Sequence, residues 1–446
     1  MKVRSIMRIW LVAAIPGMII LGSCVGGSTD NGTNGGNVHI TRVSVGSTGV
    51  QADDHSTAPA ISNDGEVASF ESQAANLVTG TTDHEVDAFI RNIPLGTTLR
   101  VSEASNGDKA DERVYSTSIS GNGRYIVFHS SAGNLAGTAS FQYADVFRHD
   151  WQSGTTEHVS ISESGAAGNQ NSMNPSVSSS GRYVAFESIA TNLLTTVDDN
   201  GVSDIFVKDM SDGTVTRVSV RPGGAQSNYA SYNPSISDDG MLIAFESVAT
   251  NLIAGGTSGA RHIYVHDMQT GTTDLLSETQ AGVEGNLSSW NPSISADGRA
   301  VVFESIATNL VDDDTNGKQD IYWRDTLSGT RILVSTSTYG DQDPYEDCYR
   351  PSISGDARYV VYHSAATSFE GGDSNNTNDV FLSDIQTGIT VRVSSTSGGS
   401  AGNNESKNAD ISADGNYIVF QSYASDLVSG DTNAKTDIFV ADNPLK

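Results

Sequence analysis

One phrase recurs along this chain: Ser-Ile-Ser, two or three residues, Gly, then an apolar run ending in Phe or Tyr. Its first apolar residue falls at Ile61, Ile119, Val177, Ile236, Ile294, Ile353 and Ile411, so successive gaps are 58, 58, 59, 58, 59 and 58 residues. A period this regular makes every repeat one supersecondary unit that buries its apolar face against the next. Each repeat holds four short runs rich in Val, Ile, Phe, Tyr and Thr. In the third they are PSVS (175–178), RYVAFES (182–188), DIFVKD (204–209) and TVTRVSV (214–220). β-Branched and aromatic residues suit strands. Turn pairs such as Ser180-Gly181 and Asp212-Gly213 separate the runs. No segment keeps a helical period. The pattern predicts an all-β chain, a seven-bladed β-propeller of four-stranded antiparallel blades.

The two ends fix the count. The seventh repeat has three strand-like runs, the last at 437–441, and lacks a fourth. The surplus run lies at the other end, where HITRVSV (39–45) is close to TVTRVSV. The N-terminal strand is therefore expected to complete the last blade and close the ring over residues 39–446. A linear solenoid would leave a bare sheet edge, which invites aggregation.

The stretches NPSISADGRAVVFES (291–305) and DIFVKDMSDGTVTRVSV (204–220) resemble the TolB-type, WD-repeat-like propeller repeats of bacterial envelope proteins. The resemblance covers about residues 39–446 and implies the propeller fold. A second resemblance lies at the N-terminus. Lys2, Arg4 and Arg8 precede a mostly apolar run of 13 residues, 9–21, too short to span a bilayer comfortably. Leu21-Gly22-Ser23-Cys24 is similar to a bacterial lipoprotein cleavage box. That implies a signal peptide at 1–23, a lipid on Cys24 and a Gly/Ser/Asn tether over 24–38, which would hold the domain off a membrane. An ordinary secretory signal cut near Ser23 is the alternative. The expected location is the bacterial cell envelope, periplasmic or at the cell surface. The other cysteine, Cys348, reads as a partly buried thiol.

Asp and Glu number 53 against 25 Lys and Arg, a formal charge of -28. Such a surface excludes nucleic acid as a partner, since phosphate binding needs clustered basic residues. It favours cations. Before the third strand of several repeats stands an oxygen-rich loop, fullest in Asp312-x-Asp314-x-Asn316-x-x-x-Asp320. Three other repeats keep its D-x-N-x-x-x-D core: Asp198, Asn200 and Asp204; Asp373, Asn375 and Asp379; Asp431, Asn433 and Asp437. Alternate oxygens on a curled loop suit structural calcium, which takes six to eight of them. The loops resemble the Asp-rich loops of integrin-type propeller blades. The last aspartate recurs in six repeats, with His262 in the fourth. It is expected to have a structural duty as well, bonding the backbone where the third strand begins.

Four residues before each first-strand anchor stand Thr57, Tyr115, Met173, Tyr232, Trp290, Tyr349 and Lys407. Tyr115, Tyr232, Trp290, Tyr349 and the neighbouring Arg350 are the candidate ligand contacts at the channel mouth. Aromatic platforms beside amides and an arginine suit a sugar or an extended peptide. Packing between blades is the competing role for these aromatics. A second ring, Glu71, His129, Glu187, Glu246, Glu304, His363 and Gln421, follows the strand-two aromatics. Its repetition speaks for hydrogen bonding between blades, because an active site is normally single. No H-E-x-x-H occurs, and no catalytic set is assigned. The sequence thus favours a monomeric, lipid-anchored binding module for an envelope protein or glycan, stabilised by calcium. A polysaccharide lyase or glycosidase working at the channel mouth is the alternative; fold alone decides neither.

Overall fold

The computed structural model describes residues 38–80, 84–137, 142–196, 198–370, 373 and 375–446. The signal segment, Cys24 and the tether up to residue 37 lie outside the described residues. Among those described, 28 strands form seven four-stranded sheets and no helix occurs. Within six sheets the strands follow chain order. All neighbours are antiparallel, as in blade 3, where Tyr183–Ser188 pairs with Asp204–Asp209. Blades are numbered here along the chain, and strands one to four within each run from the channel outwards.

The seventh blade is closed as expected. Its fourth strand is Ile40–Arg42, which pairs with Asp437–Asp442 through Ile40↔Ala441, Thr41↔Val440 and Arg42↔Phe439. The Val43 amide continues the seam by donating to the Ile438 carbonyl at 2.8 Å. Seven apolar clusters lie between successive blades. The one that shuts the ring joins Ile61, Ala68 and Phe70 of blade 1 to Val419, Ile438 and Val440 of blade 7. Alternate strand residues feed the two faces of each blade, so every sheet is covered on both sides by its neighbours.

The phrase that betrayed the repeat has a packing reason. Its glycine sits in the turn between strands one and two with positive φ, +73° at Gly65. A Cβ there would lie 2.1 Å from the Tyr417 ring of the preceding blade. Glycine gives both the left-handed backbone and the room at this turn, whereas blade 6 holds Ala357 at the equivalent turn with φ +62°. These turns also clasp one another. The amide of Asn63 donates to the Gly121 carbonyl at 2.9 Å, that of Asn122 to Ser179 at 2.9 Å, and that of Asp414 to Asn63 at 3.0 Å. The Asn63 amide side chain reaches from blade 1 to Asp238 of blade 4 at 2.7 Å. Side chains from non-adjacent blades thus meet and narrow this end of the channel.

Candidate functional site

The other end of the channel opens as a cup of about 640 Å³. First strands of all seven blades line it. Each carries a register shift midway, as between Met173 and Ser176 of blade 3. At the shift one residue turns into the left-handed region: Ala58, Ser116, Asn174, Asn233, Asn291, Arg350 and Asn408, with φ between 47° and 54°. Four are Asn, the side chain that tolerates this conformation best after Gly. These residues line the cup. Their side chains link in part: Ser116 Oγ donates to Asn174 at 2.9 Å, and Asn174 Nδ2 to Asn233 Oδ1 at 3.2 Å. The Arg350 side chain is exposed in the cup, with no ion pair among the described residues.

The strand-two ring explains the strained backbone. Six of its seven side chains accept a hydrogen bond from the backbone of the next blade's shifted residues. Gln421 accepts from the Ala58 N–H at 3.0 Å, Glu71 from Thr117 at 3.3 Å, and His129 Nδ1 from Asn174 at 3.5 Å. Glu187 accepts from Asn233 at 2.9 Å, Glu246 from Asn291 at 2.8 Å, and Glu304 from Arg350. Positive φ is what aims these amides across the seam. The expected inter-blade hydrogen bonding is therefore present at six of the seven seams. At the sixth seam His363 keeps its Nδ1 buried without a partner. Burial pushes the Glu71 carboxyl up to about 7, and moves Glu187 and Glu304 in the same direction. Burial holds His129 down to about 4 and His363 to about 3.

The five candidate ligand contacts separate. Tyr115 and Arg350 line the cup; Tyr232, Trp290 and Tyr349 do not. Each aromatic instead faces the strand-two residue opposite it in register, Trp290 facing Glu304. Tyr115 stacks on His129 with ring centres 5.7 Å apart, and Tyr349 on His363 at 5.6 Å. Tyr232 lies under Arg261 at 4.8 Å, and Arg261 pairs with Glu246. The register shift is the cause. It turns the residue after the aromatic, not the aromatic, towards the axis. Asn174, Asn233, Asn291 and Asn408, each one residue beyond the aromatic position, reach the cup together with Arg350 and Ser116.

The acidic loops lie beside the connections from fourth to first strands, as Gln51 shows by donating to both Asp431 at 2.8 Å and Asp437 at 2.9 Å. Their last aspartate acts through a serine relay, not directly on the backbone. Asp87, Asp145, Asp204, Asp320, Asp379 and Asp437 accept from Ser102, Ser160, Ser219, Ser335, Ser394 and Ser44 at 2.5–2.8 Å. The same hydroxyls accept the next residue's N–H, as Ser335 does from Ile321 at 3.0 Å. The asparagines brace the loop. Oδ1 of Asn200, Asn316, Asn375 and Asn433 takes the N–H two residues on, at 2.9–3.2 Å. Their Nδ2 groups donate to carbonyls of the next connection, as Asn316 does to Asp343 at 3.0 Å.

The middle aspartates have partners the sequence reading did not find. Arg217 Nη1 lies 3.4 Å from Asp198 and 3.5 Å from Asp204. Arg42 Nη1 lies 3.4 Å from both Asp431 and Asp437. Arg392, wholly buried, stands 3.9 Å from Asp379. Asp373 keeps Oδ2 buried and unpartnered. Asp312 is exposed. Burial, and secondarily the charge of Asp204, raises Asp198 to about 6. Burial raises Asp320 and Asp379 to about 7. Among the described residues no three His, Cys, Asp or Glu side chains gather in a group that could hold a metal ion. Cys348 is deeper than expected, 1% exposed, and burial drives its thiol well above the usual range.

No protein-family model matches the chain, and no curated protein matches it in sequence. Solved structures do match. Oligogalacturonate lyase from Vibrio parahaemolyticus aligns over 91% of this chain and 93% of its own at 13% identity, with a TM-score of 0.54. The β-propeller domain of the Trilobed protease from Pyrococcus furiosus aligns over 87% and 95% at 12% identity, with a TM-score of 0.51. TolB from Acinetobacter baumannii aligns over 80% and 76% at 16% identity, with a TM-score of 0.40. At these identities the first two support the propeller fold and nothing finer.

Proposed function

We propose that this chain is an extracytoplasmic binding module that receives a hydroxyl-rich sugar in its amide-lined cup. The observation that carries this reading is the lining itself: a ring of Asn side chains, Ser116 and one unpaired arginine around a space of about 640 Å³. Amides give and accept hydrogen bonds to sugar hydroxyls, and a guanidinium can take a carboxylate or hydroxyl oxygen in a fork. The strand-two carboxylates, which could have served as acids and bases, are engaged in seams between blades. The sequence around Cys24 supports attachment to the envelope membrane through a lipid, with the cup held away from the surface by the tether.

The test is a binding panel of neutral and acidic oligosaccharides and of extended peptides, read by calorimetry. A sugar that binds and loses at least tenfold in affinity in Arg350→Ala or Asn233→Ala is the expected result. Binding unaffected by both substitutions, or confined to peptides, removes this reading. One observation favours an enzyme: Glu71 is the one carboxylate among the cup-lining residues and is held near neutrality by burial. Oligosaccharide cleavage abolished by Glu71→Gln would establish that second reading.

A further inference from the structure

We propose that blade 5 binds one calcium ion between Asp314 and Asp320, in the place where other acidic blades put a cation of their own. In blades 3 and 7 that cation is Arg217 or Arg42, from the fourth strand, within 3.5 Å of both carboxylates. Blade 6 uses Arg392. Asp87 of blade 1 has Lys109 at 3.3 Å, and Asp145 of blade 2 has His158 at 3.1 Å. Each fourth-strand arginine stands in register opposite a phenylalanine, Arg217 against Phe206 for instance.

Blade 5 changes both partners. Leu333 stands where the arginine would, opposite Tyr322. Blade 4 makes the same exchange, Leu275 opposite Tyr264. There the loop has also lost its acids, with His262 at the position of Asp320. Blade 4 thus gave up both signs of charge, whereas blade 5 gave up the cation and kept the anions. No Arg, Lys or His of the described residues pairs with Asp314 or Asp320.

A second observation points into the same place. Asp314 is 8% exposed, its Oδ2 takes the Tyr322 hydroxyl at 2.5 Å, and its Oδ1 is buried with no partner. Asp320 Oδ2 takes Gln342 Nε2 at 3.3 Å, and the Asn316 amide adds a further hydrogen bond to this carboxylate, but no cation pairs with it among the described residues. A buried carboxylate oxygen without a partner is costly. An all-oxygen site with no thiolate or imidazole selects a hard cation. Two carboxylates completed by neutral oxygens and water in a loop of irregular shape suit calcium better than the stricter octahedron of magnesium.

The experiment uses the full chain stripped with a chelator and checked metal-free by mass spectrometry. Calcium titrated by calorimetry is expected to give one site per chain, with Kd on the order of 0.1–1 mM. The Tm should rise by about 0.5–2 °C in about 1 mM calcium. Asp314→Asn should abolish both signals. Leu333→Arg with Tyr322→Phe should hold the calcium-bound Tm of the parent without calcium and lose the response. If that double variant does not fold, Asp314→Asn alone decides. No binding by the parent at about 10 mM calcium overturns the proposal. So does binding that survives Asp314→Asn, or a stoichiometry of three or four.

Discussion

Blades 4 and 5 are neighbours with the same outer exchange, Leu for Arg on the fourth strand and Tyr for Phe on the third. They differ in what the new tyrosine hydroxyl meets. Tyr264 meets Thr257 at 3.2 Å, whereas Tyr322 meets Asp314 at 2.5 Å. At the head of the third strand, His262 of blade 4 bonds to Ser277 at 3.2 Å and faces Glu284 at 3.2 Å. Asp320 of blade 5 faces no cation. The pair shows that the serine relay survives either residue, while the charge on the loop must be matched from elsewhere. A repeat can therefore drift at its outer edge only if both members of the ion pair leave, or if something outside the chain replaces the one that left.

The strongest way to break this comparison is to make blade 3 resemble blade 5. Arg217→Leu leaves Asp198 and Asp204 buried beside each other, and should cost about 3–5 kcal/mol in urea unfolding. Phe206→Tyr added to it should recover part of the loss, and more of it in calcium. Putting an acid back into blade 4 comes next. His262→Asp buries a carboxylate with no cation in reach, for an expected loss on the order of 3 kcal/mol. A neutral outcome for either substitution would mean that water satisfies these loops unaided.

The inner ring offers a milder version of the same contrast. Gln421 and Glu71 accept equivalent bonds at successive seams, one neutral and one held at about 7 by burial. Between pH 4.5 and 7 the folded chain keeps a proton on Glu71 that the unfolded chain releases, so this group weakens the fold as pH rises through that window. Glu71→Gln should remove the slope and stabilise the protein by about 2 kcal/mol at pH 8, with little change at pH 4. His129 and His363 act oppositely. Their depressed values give stability that is present above about 6.5 and lost as pH falls towards 4. The smallest effect belongs to Asp312→Ala. The side chain is exposed, and chelated protein should unfold within about 0.5 kcal/mol of the parent.

The fold was legible because its cause is periodic. Glycine turns, strand runs and a split last repeat each recur or fail at fixed intervals, and the ring follows from them. The Glu and Gln ring was legible for the same reason, since a residue needed at every seam appears in every repeat. The acidic loops were half legible. Their oxygens are contiguous in sequence, but the arginines that answer them come from another strand. In blade 7 the partners, Arg42 and Asp431, lie at opposite ends of the chain. The signal that would have found them is the joint exchange of Arg with Leu and Phe with Tyr. Tyr115 and Arg350 reach the cup while Tyr232, Trp290 and Tyr349 do not, because a mid-strand bulge with positive φ is invisible in a hydrophobic pattern. Only the run of Asn-Pro pairs hints at it.

The closing strand sets an order in time. Ser44 and Asp437 meet at 2.6 Å although 393 residues separate them. During synthesis strand Ile40–Arg42 emerges among the first and then has nothing to pair with until Asp437–Asp442 has followed it. Six blades can condense in sequence from local contacts, but the last step waits for Asp437–Asp442. Until then strand Ile40–Arg42 keeps an unpaired edge. A truncated product lacking these last residues would keep six complete sheets, a stranded N-terminal segment and a ring that cannot shut.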